Sequence, residues 1–551
     1  MSPSGGGGRR VVVVTGGGGG IGAAVAEELG RAGAHVVTVD PMVTLDGASR
    51  AEVQGETTAD RIVAAGGSAR ATDLSVTDRA GVQALFEELR REHGRLDGVV
   101  NVAGITRPTS FAAGTDDDWR AVLGVHLDGY RNVLESALPI MAEQGHGRVL
   151  GVTSGSGWRP ADTGAYGCAK RAVASLTWEL GRRTPPGVAV NAMSPIAVTR
   201  MVTAALGKQA VRPGGTGAAT GGLSLGSLPA PEELGPLGAH LVGEAFGWCR
   251  GLVLFAGGSE VAVVERPHLL EVVTTTGAGS LAHLVEAFAE RALLPAERNQ
   301  TAGGGTNPRF GDVLAAGTGA RRPTGGRCLV VTDDPGGVGE LVEALAARGA
   351  TTEVLDAGRV DGGFAGAAAA LASVEPFDAV VIRRSGPAPS SGGEGWQRVL
   401  AGHDGLVDAI HADAGWVRAA TDRSSDAGRP VRVVTLVEAT TAGGRSRAQA
   451  ATQLARASRK ATDGRVAAFA VSVESTGAAA TTASAALAAH LACSPAAADL
   501  AGAELAVGDG WLGLRSHPRP STSIVTGSGP VPGWFDEVLR DAVDRTAPEG
   551  P

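Results

Sequence analysis

Val11-Val-Val-Val-Thr-Gly-Gly-Gly-Gly-Gly-Ile-Gly22 opens the readable part of this 551-residue chain. Four consecutive valines read as a short parallel strand buried on both faces, and the glycines behind them read as a tight turn. A helix follows, with Val25 and Leu29 on one face. Glycines at a strand-to-helix turn let the backbone approach a pyrophosphate, which the N–H groups at the helix N-terminus can bind. Strand, glycines and helix in that order predict a nucleotide-binding α/β unit.

The next strand, His35-Val-Val-Thr-Val-Asp40, ends in a carboxylate where dinucleotide folds hold the adenosine ribose 2′-hydroxyl. Asp40 would repel a 2′-phosphate, and no Arg occupies the glycine turn to offset it, so NAD is favoured over NADP. The competing reading of Asp40 is a loop-capping acid.

Only two tyrosines and three lysines occur in the chain, yet one of each sits four residues apart in Tyr166-Gly-Cys-Ala-Lys170. That spacing puts both on one face of a helix. Free tyrosine, with a pKa of about 10, is a poor base at neutral pH, and an adjacent positive charge favours the phenolate. The pair is a candidate acid/base.

The length exceeds one ordinary domain, so two or more are expected. A net charge of −8 offers no basic stripe for nucleic acid or anionic lipid. Cys168, Cys249, Cys328 and Cys493 lie far apart, without CxxC spacing or a histidine cluster, so no metal site and no disulfide framework are expected. The segment Met1 to Arg10 lacks an apolar signal-peptide core and no run approaches a membrane span. A soluble protein of the reducing cytoplasm is expected, with a small-molecule substrate.

Further strand-helix units are announced by Asp73-Leu-Ser, Leu96-Asp-Gly-Val-Val-Asn-Val-Ala-Gly104 and Arg148-Val-Leu-Gly-Val-Thr-Ser154. With these in order, residues 9–265 resemble the short-chain dehydrogenase/reductase family: TGxxxGIG at 15–22, NxAG at 101–104, a serine after the fifth strand, YxxxK at 166–170, and Asn191-Ala-Met-Ser-Pro195 with Thr199. The resemblance implies a Rossmann-like, doubly wound parallel sheet with the site at the carboxyl ends of its strands. It implies that Thr15, Gly16, Gly20, Ile21, Gly22, Asp40, Asp73, Asn101, Ala103, Gly104, Tyr166, Lys170, Pro195 and Thr199 hold the cofactor. Tyr166 would be the acid/base, Lys170 would lower its pKa and hold the nicotinamide ribose, and Ser154 would bond the reacting oxygen.

Three departures from the family pattern stand out. Ser154 precedes Tyr166 by twelve residues, one fewer than usual, which would move Thr153 to the ordinary count. Ser154 is preferred because Ser154-Gly-Ser-Gly157 matches the local pattern. The usual helix asparagine is His126, in Val125-His-Leu-Asp-Gly129, which could organise a water relay and titrate near neutrality; a packed core histidine is the alternative. Pro195 is followed by Ile196 in place of glycine, which alters the pocket floor. Within the family the first half is most similar to (3R)-hydroxyacyl-CoA dehydrogenase units of multifunctional β-oxidation enzymes, through His126, the long segment from Pro41 to Thr58, and Pro231-Glu-Glu-Leu-Gly-Pro-Leu237. Loop 203–230 lies where the family carries its substrate lid; a disordered insertion is the other reading.

The second half repeats this order in decayed form. Leu329-Val-Val-Thr332 with Gly336-Gly-Val-Gly339 echoes 12–22, Phe377-Asp-Ala-Val-Val381 echoes 96–100, and Trp396-Gln-Arg-Val-Leu400 with His403 echoes 119–123 with His126. No tyrosine follows Tyr166, Asp333 and Asp334 occupy the glycine turn, and Ile382 stands where Asn101 stood. Two Rossmann-like domains in tandem are expected: catalytic at 1–265, a linker with one amphipathic helix at 266–326, and a degenerate, non-catalytic copy at 327–551. Since the resemblance implies dimerisation through the helix bearing YxxxK, the second half is expected to act as that partner in cis, an intramolecular pseudo-dimer; pairing of whole chains into a homodimer stays open. Functionally, the chain reads as an NAD-dependent oxidoreductase interconverting a secondary alcohol and a ketone, on a 3-hydroxyacyl thioester or a bulky cyclic alcohol. A biosynthetic ketoreductase using NAD(P)H and a non-catalytic nucleotide-sensing scaffold are the alternatives.

Overall fold

A computed structural model describes residues 8–49, 56–203, 228–298, 300, 325–360, 363–386, 393, 395–427, 430–527 and 529–546. Most of the expected lid, 204–227, lies outside the described residues. Among the described residues seventeen strands form two sheets. Those of the first stretch are β1 (Val11–Thr15), β2 (His35–Val39), β3 (Ser68–Thr72), β4 (Gly98–Asn101), β5 (Gly147–Val152), β6 (Val188–Ile196), β7 (Val253–Gly257) and β8 (Glu260–Glu265). They are followed by β9 (Leu269–Thr274), β10 (Arg327–Thr332), β11 (Thr351–Asp356), β12 (Ala379–Arg383), β13 (Val431–Glu438), β14 (Val466–Val473), β15 (Glu504–Gly508), β16 (Trp511–Arg515) and β17 (Arg519–Val525).

The first sheet runs β3-β2-β1-β4-β5-β6-β7-β8-β17 and the second β11-β10-β12-β13-β14-β15-β16-β9. Strands up to β7 and up to β15 pair in parallel, with an antiparallel hairpin closing each run. Helices join the parallel strands, which makes both sheets the doubly wound α/β type expected. Strand order reverses between β1 and β4, and again between β10 and β12, so each sheet has a crevice at its carboxyl edge.

The edges depart from the sequence reading. The stretch 266–326 is not merely a linker: β9 pairs antiparallel with β16 in the second sheet. The helical run from Leu281 to Arg298 widens into a π turn at Ala289–Leu293. It buries Leu284, Val285, Phe288 and Leu293 against Val330, Leu341 and Leu487 of the second half. Reciprocally, β17 leaves the second half to pair with β8 in the first sheet. The helix Phe535–Thr546 then buries Phe535 and Leu539 against Val12, Val25 and Phe246. The physical reason is edge completion: β8 and β16 each expose an unpaired ladder, and each is covered by the strand that follows the other.

Between the sheets runs one continuous core. There the helix Gly164–Gly181 of the first half packs on Ala442–Ala461 of the second, Asp116–Leu123 meets Leu406–Ala427, and Gly129–Gln144 meets Gly395–Ala401. Ala165, Cys168, Ala169 and Ala172 share this core with Ala450, Leu454 and Ala457. Small side chains on both faces let the two helix axes approach closely. No helix of the described residues is long and apolar enough to cross a membrane.

Candidate active site

The carboxyl ends of β1, β4, β5 and β6 converge on one crevice. Gly16 adopts φ +66°, and a Cβ there would stand 2.8 Å from the Ala103 nitrogen. At Gly22 a Cβ would lie 2.1 Å from the Gly16 carbonyl oxygen. The turn therefore requires glycine at both positions. No side chain caps the helix Gly20–Arg31 behind it, so its first N–H groups face the crevice without an internal acceptor. Buried Thr15 ties β1 to β4: its Oγ1 donates to Asn101 Oδ1 (2.9 Å) and accepts from the Ala103 N–H (3.3 Å).

Asp40 accepts from the Gly18 N–H (3.0 Å) and from the Met42 N–H (2.8 Å), which fixes its carboxylate at the rim of the glycine turn. Exposed Asp73 follows β3 on the same side, next to Thr72, whose carbonyl accepts the Asp40 N–H (3.0 Å). Thr199 sits against Gly20 at 3.6 Å from a Cβ placed there, and Arg200 brings Nη2 to 3.9 Å from one on Gly19. Sequence reasoning missed Arg200: it is remote from the turn in the chain, and only the passage of the chain beyond β6 across the helix start brings it there. A cradle without Cβ atoms, free N–H groups and an acid at the end of β2 fit a dinucleotide.

On the other side of the crevice lie the groups expected to do chemistry. Tyr166 is half-buried near the start of the helix Gly164–Gly181 and hydrogen-bonds Ser154, which follows β5. Burial pushes the phenol above its ordinary pKa, and the Ser154 hydrogen bond acts in the opposite direction. Thr153, the alternative by spacing, is occupied elsewhere: its Oγ1 donates to the Lys170 carbonyl (2.5 Å).

The buried Lys170 ammonium lies 5.7 Å from the Tyr166 ring centroid and donates to the Val152 carbonyl (2.7 Å). Burial brings its pKa down to about 7. Burial is the larger influence on the Tyr166 phenol, and the Lys170 amine is turned toward β5.

His126 sits in a π turn, Gly124–Asp128, with its ring edge-on to Tyr166 at 5.1 Å. Nε2 lies 2.8 Å from the Ile105 carbonyl, which only accepts, so Nε2 carries the proton. Burial and the nearby Lys170 hold its pKa at about 3. The expected titration of His126 near neutrality is thus corrected: the imidazole is neutral there, because its full burial penalises the charged form. A Cβ on Gly104 would stand 2.4 Å from the His126 ring, so Gly104 is the seat of this histidine. Pro195 and Ile196 end β6 half-buried.

In the second half, a cleft of about 170 Å³ opens at the matching carboxyl edge, lined in part by Thr332, Asp333, Arg383, Glu438 and Ser475. Asp333 accepts from the Ser385 N–H (2.9 Å) and Asp334 from the Gly337 N–H (3.2 Å). Two carboxylates stand where the first half keeps glycines, and their charge opposes a pyrophosphate at that turn.

A family model described as short chain dehydrogenase matches residues 10–210. The 3-oxoacyl-acyl-carrier-protein reductase FabG of Thermotoga maritima is 31% identical over 34% of this chain and 75% of its own length. The peroxisomal hydratase-dehydrogenase-epimerase of Saccharomyces cerevisiae is 32% identical over 31% of this chain and 19% of its own. Across the first curated relatives it matches, the chain spans 64–75% of their length. Among solved structures, the N-domain of a bacterial malonyl-CoA reductase with NADP covers 88% of this chain and 95% of its own, with a TM-score of 0.64 at 17% identity. That likeness extends the two-sheet fold across both halves.

Proposed function

This chain belongs to the short-chain dehydrogenase family and is an NAD(P)-dependent oxidoreductase; on that premise we propose that its first half interconverts a secondary alcohol and a ketone, with Tyr166 as acid/base and NAD preferred over NADP. The observation that carries the reading is the Ser154–Tyr166–Lys170 set beside the glycine cradle. Thr15, Gly16, Gly20, Ile21, Gly22, Asp40, Asp73, Asn101, Ala103, Gly104, Pro195 and Thr199 would hold the dinucleotide, whose nicotinamide supplies or accepts the hydride.

Ser154 donates to the substrate oxygen and holds it at the phenol. Tyr166 takes the hydroxyl proton in the oxidising direction and returns it in the reducing one. Lys170 holds positive charge below its lowered pKa and so favours the phenolate once its amine turns from Val152. His126 stays neutral and packs the tyrosine ring in place.

The substrate proposed is a 3-hydroxyacyl or 3-oxoacyl thioester. The similarity to a 3-oxoacyl-acyl-carrier-protein reductase supports this class and the reducing direction. The second half is proposed to be a degenerate copy of the first, a reading supported by seven of its strands, β11-β10-β12-β13-β14-β15-β16, standing in the order of β2-β1-β4-β5-β6-β7-β8, and by Asp333 and Asp334 in its turn. On this view the chain is a pseudo-dimer in cis, its two copies meeting at the helices Gly164–Gly181 and Ala442–Ala461. All four cysteines are free and buried, which suits a reducing cytoplasm.

The test follows NADH absorbance with acetoacetyl-CoA and with cyclic ketones, comparing wild type with Tyr166→Phe. Turnover of the thioester lost in the variant is expected. Wild-type turnover in Tyr166→Phe would overturn the mechanism, and turnover of cyclic ketones alone would overturn the substrate class.

A further inference from the structure

Gln449 and Gln453 stand four residues apart on the second half's helix Ala442–Ala461, facing the helix that carries Tyr166 and Lys170. Gln453 is fully buried, and its Nε2 donates to two carbonyls of the first half, Ser156 (3.0 Å) and Arg159 (3.0 Å). These belong to the turn that begins at Ser154. Gln449 Oε1 accepts from Arg171 Nε (3.1 Å), and Arg171 Nη1 donates to the Gly157 carbonyl of the same turn (3.3 Å). Behind them Glu504 of β15 pairs with the Arg171 guanidinium and accepts from Gln449 Nε2 (3.1 Å).

We propose that Gln453 is a positioning residue for the first half's active site, so that the second half holds the Ser154 turn in cis; this rests on the oxidoreductase reading above. The turn Ser154-Gly-Ser-Gly157 carries two glycines and has little conformational preference of its own. From its own half the Ser156 carbonyl receives the Thr163 hydroxyl at 3.4 Å, a longer bond than that from Gln453. Gly167, next to Tyr166, makes the reach possible: a Cβ there would lie 3.3 Å from Gln453 Cγ and 2.9 Å from the Ser156 oxygen. Ser154 in turn bonds Tyr166 and lowers its pKa. Loss of the two donated bonds therefore moves the serine away from the reacting oxygen and raises the pH at which the phenolate forms.

The test is steady-state kinetics of the full chain with NADH and acetoacetyl-CoA in Gln453→Met and in Gln453→Glu, which keeps the volume but sets a carboxylate against two carbonyls. We expect kcat to fall about tenfold or more, with NADH affinity unchanged to about twofold. The alkaline limb of the profile should move to higher pH in Gln453→Met. The Ser154→Ala/Gln453→Met double variant should be no slower than Ser154→Ala, because both act through one group. Arg445→Met is the control: it breaks the ion pair of Arg445 with Glu179 across the same helices without touching the turn, and should lower Tm while leaving kcat unchanged.

Wild-type kcat in both Gln453 variants would overturn the inference. So would equal loss in Arg445→Met, or losses that multiply in the double variant. These outcomes are separate from failure of the oxidoreductase reading, which shows as no NADH-dependent turnover in the wild type.

Discussion

Replacing Phe535 by alanine tests the exchange of terminal elements between the halves. Its side chain is 0% exposed, in the cluster formed by Val12, Val25, Leu241, Phe246 and Ile524 on the outer face of the first sheet. Its ring meets His240 edge-on at 5.7 Å. Truncating a buried phenylalanine costs about 3–5 kcal/mol, against about 5–15 kcal/mol for a whole domain. With a urea m-value of about 2 kcal/mol per molar, the midpoint of the first half should fall by roughly 1.5–2.5 M. The assay is equilibrium urea unfolding followed by the fluorescence of bound NADH, which reports the first half. Val538→Ala on the same helix is the control, since that side chain is 42% exposed and surface changes stay within about 0.5 kcal/mol. An unmoved NADH-reported midpoint in Phe535→Ala would refute the placement of this helix in the first half's core.

Two further outcomes follow from the site. Burial brings Lys170 to about 7, against about 10.4 in an unfolded chain. Between those values the unfolded state holds the proton and the folded state does not, so stability rises with pH from about 7 to about 10. Lys170→Met should flatten that rise in Tm measured at intervals across the window, and parallel slopes would contradict it. Asp40→Ser removes the carboxylate at the rim of the glycine turn and should narrow the preference for NADH over NADPH about tenfold or more. Calorimetric dissociation constants for both cofactors check this, and an unchanged ratio would assign Asp40 to loop capping.

What was legible in the chain was local. The valine run and the glycine turn specify a strand, a close approach and a helix start within twelve residues, and the crevice forms where that stretch predicts. Tyr166 and Lys170 share a helix face because helical periodicity is a local rule. Protonation states were less legible: His126 is held neutral and Lys170 lowered by how deeply each is packed, a property of the fold around them.

The helix bearing YxxxK was expected at the join between the halves, but the particular residues and edge strands that pair across it were not legible. The stretches that form β9 and β17 are short, mixed in polarity, and could pair with any open antiparallel edge. That β9 covers β16 and β17 covers β8 follows from which edges the folded halves bring near them. Gln453 carries no local signal either, since a glutamine in an alanine-rich helix reads as ordinary surface until another helix buries it. The sequence by itself determined the strand–glycine–helix unit, the motif order and the pairing of Tyr166 with Lys170 on one helix face, because each depends on neighbours within a few residues. The tertiary structure alone decided the exchanged edge strands, Arg200 at the glycine turn and the glutamines behind Ser154, because those contacts join residues hundreds of positions apart through packing and not through periodicity.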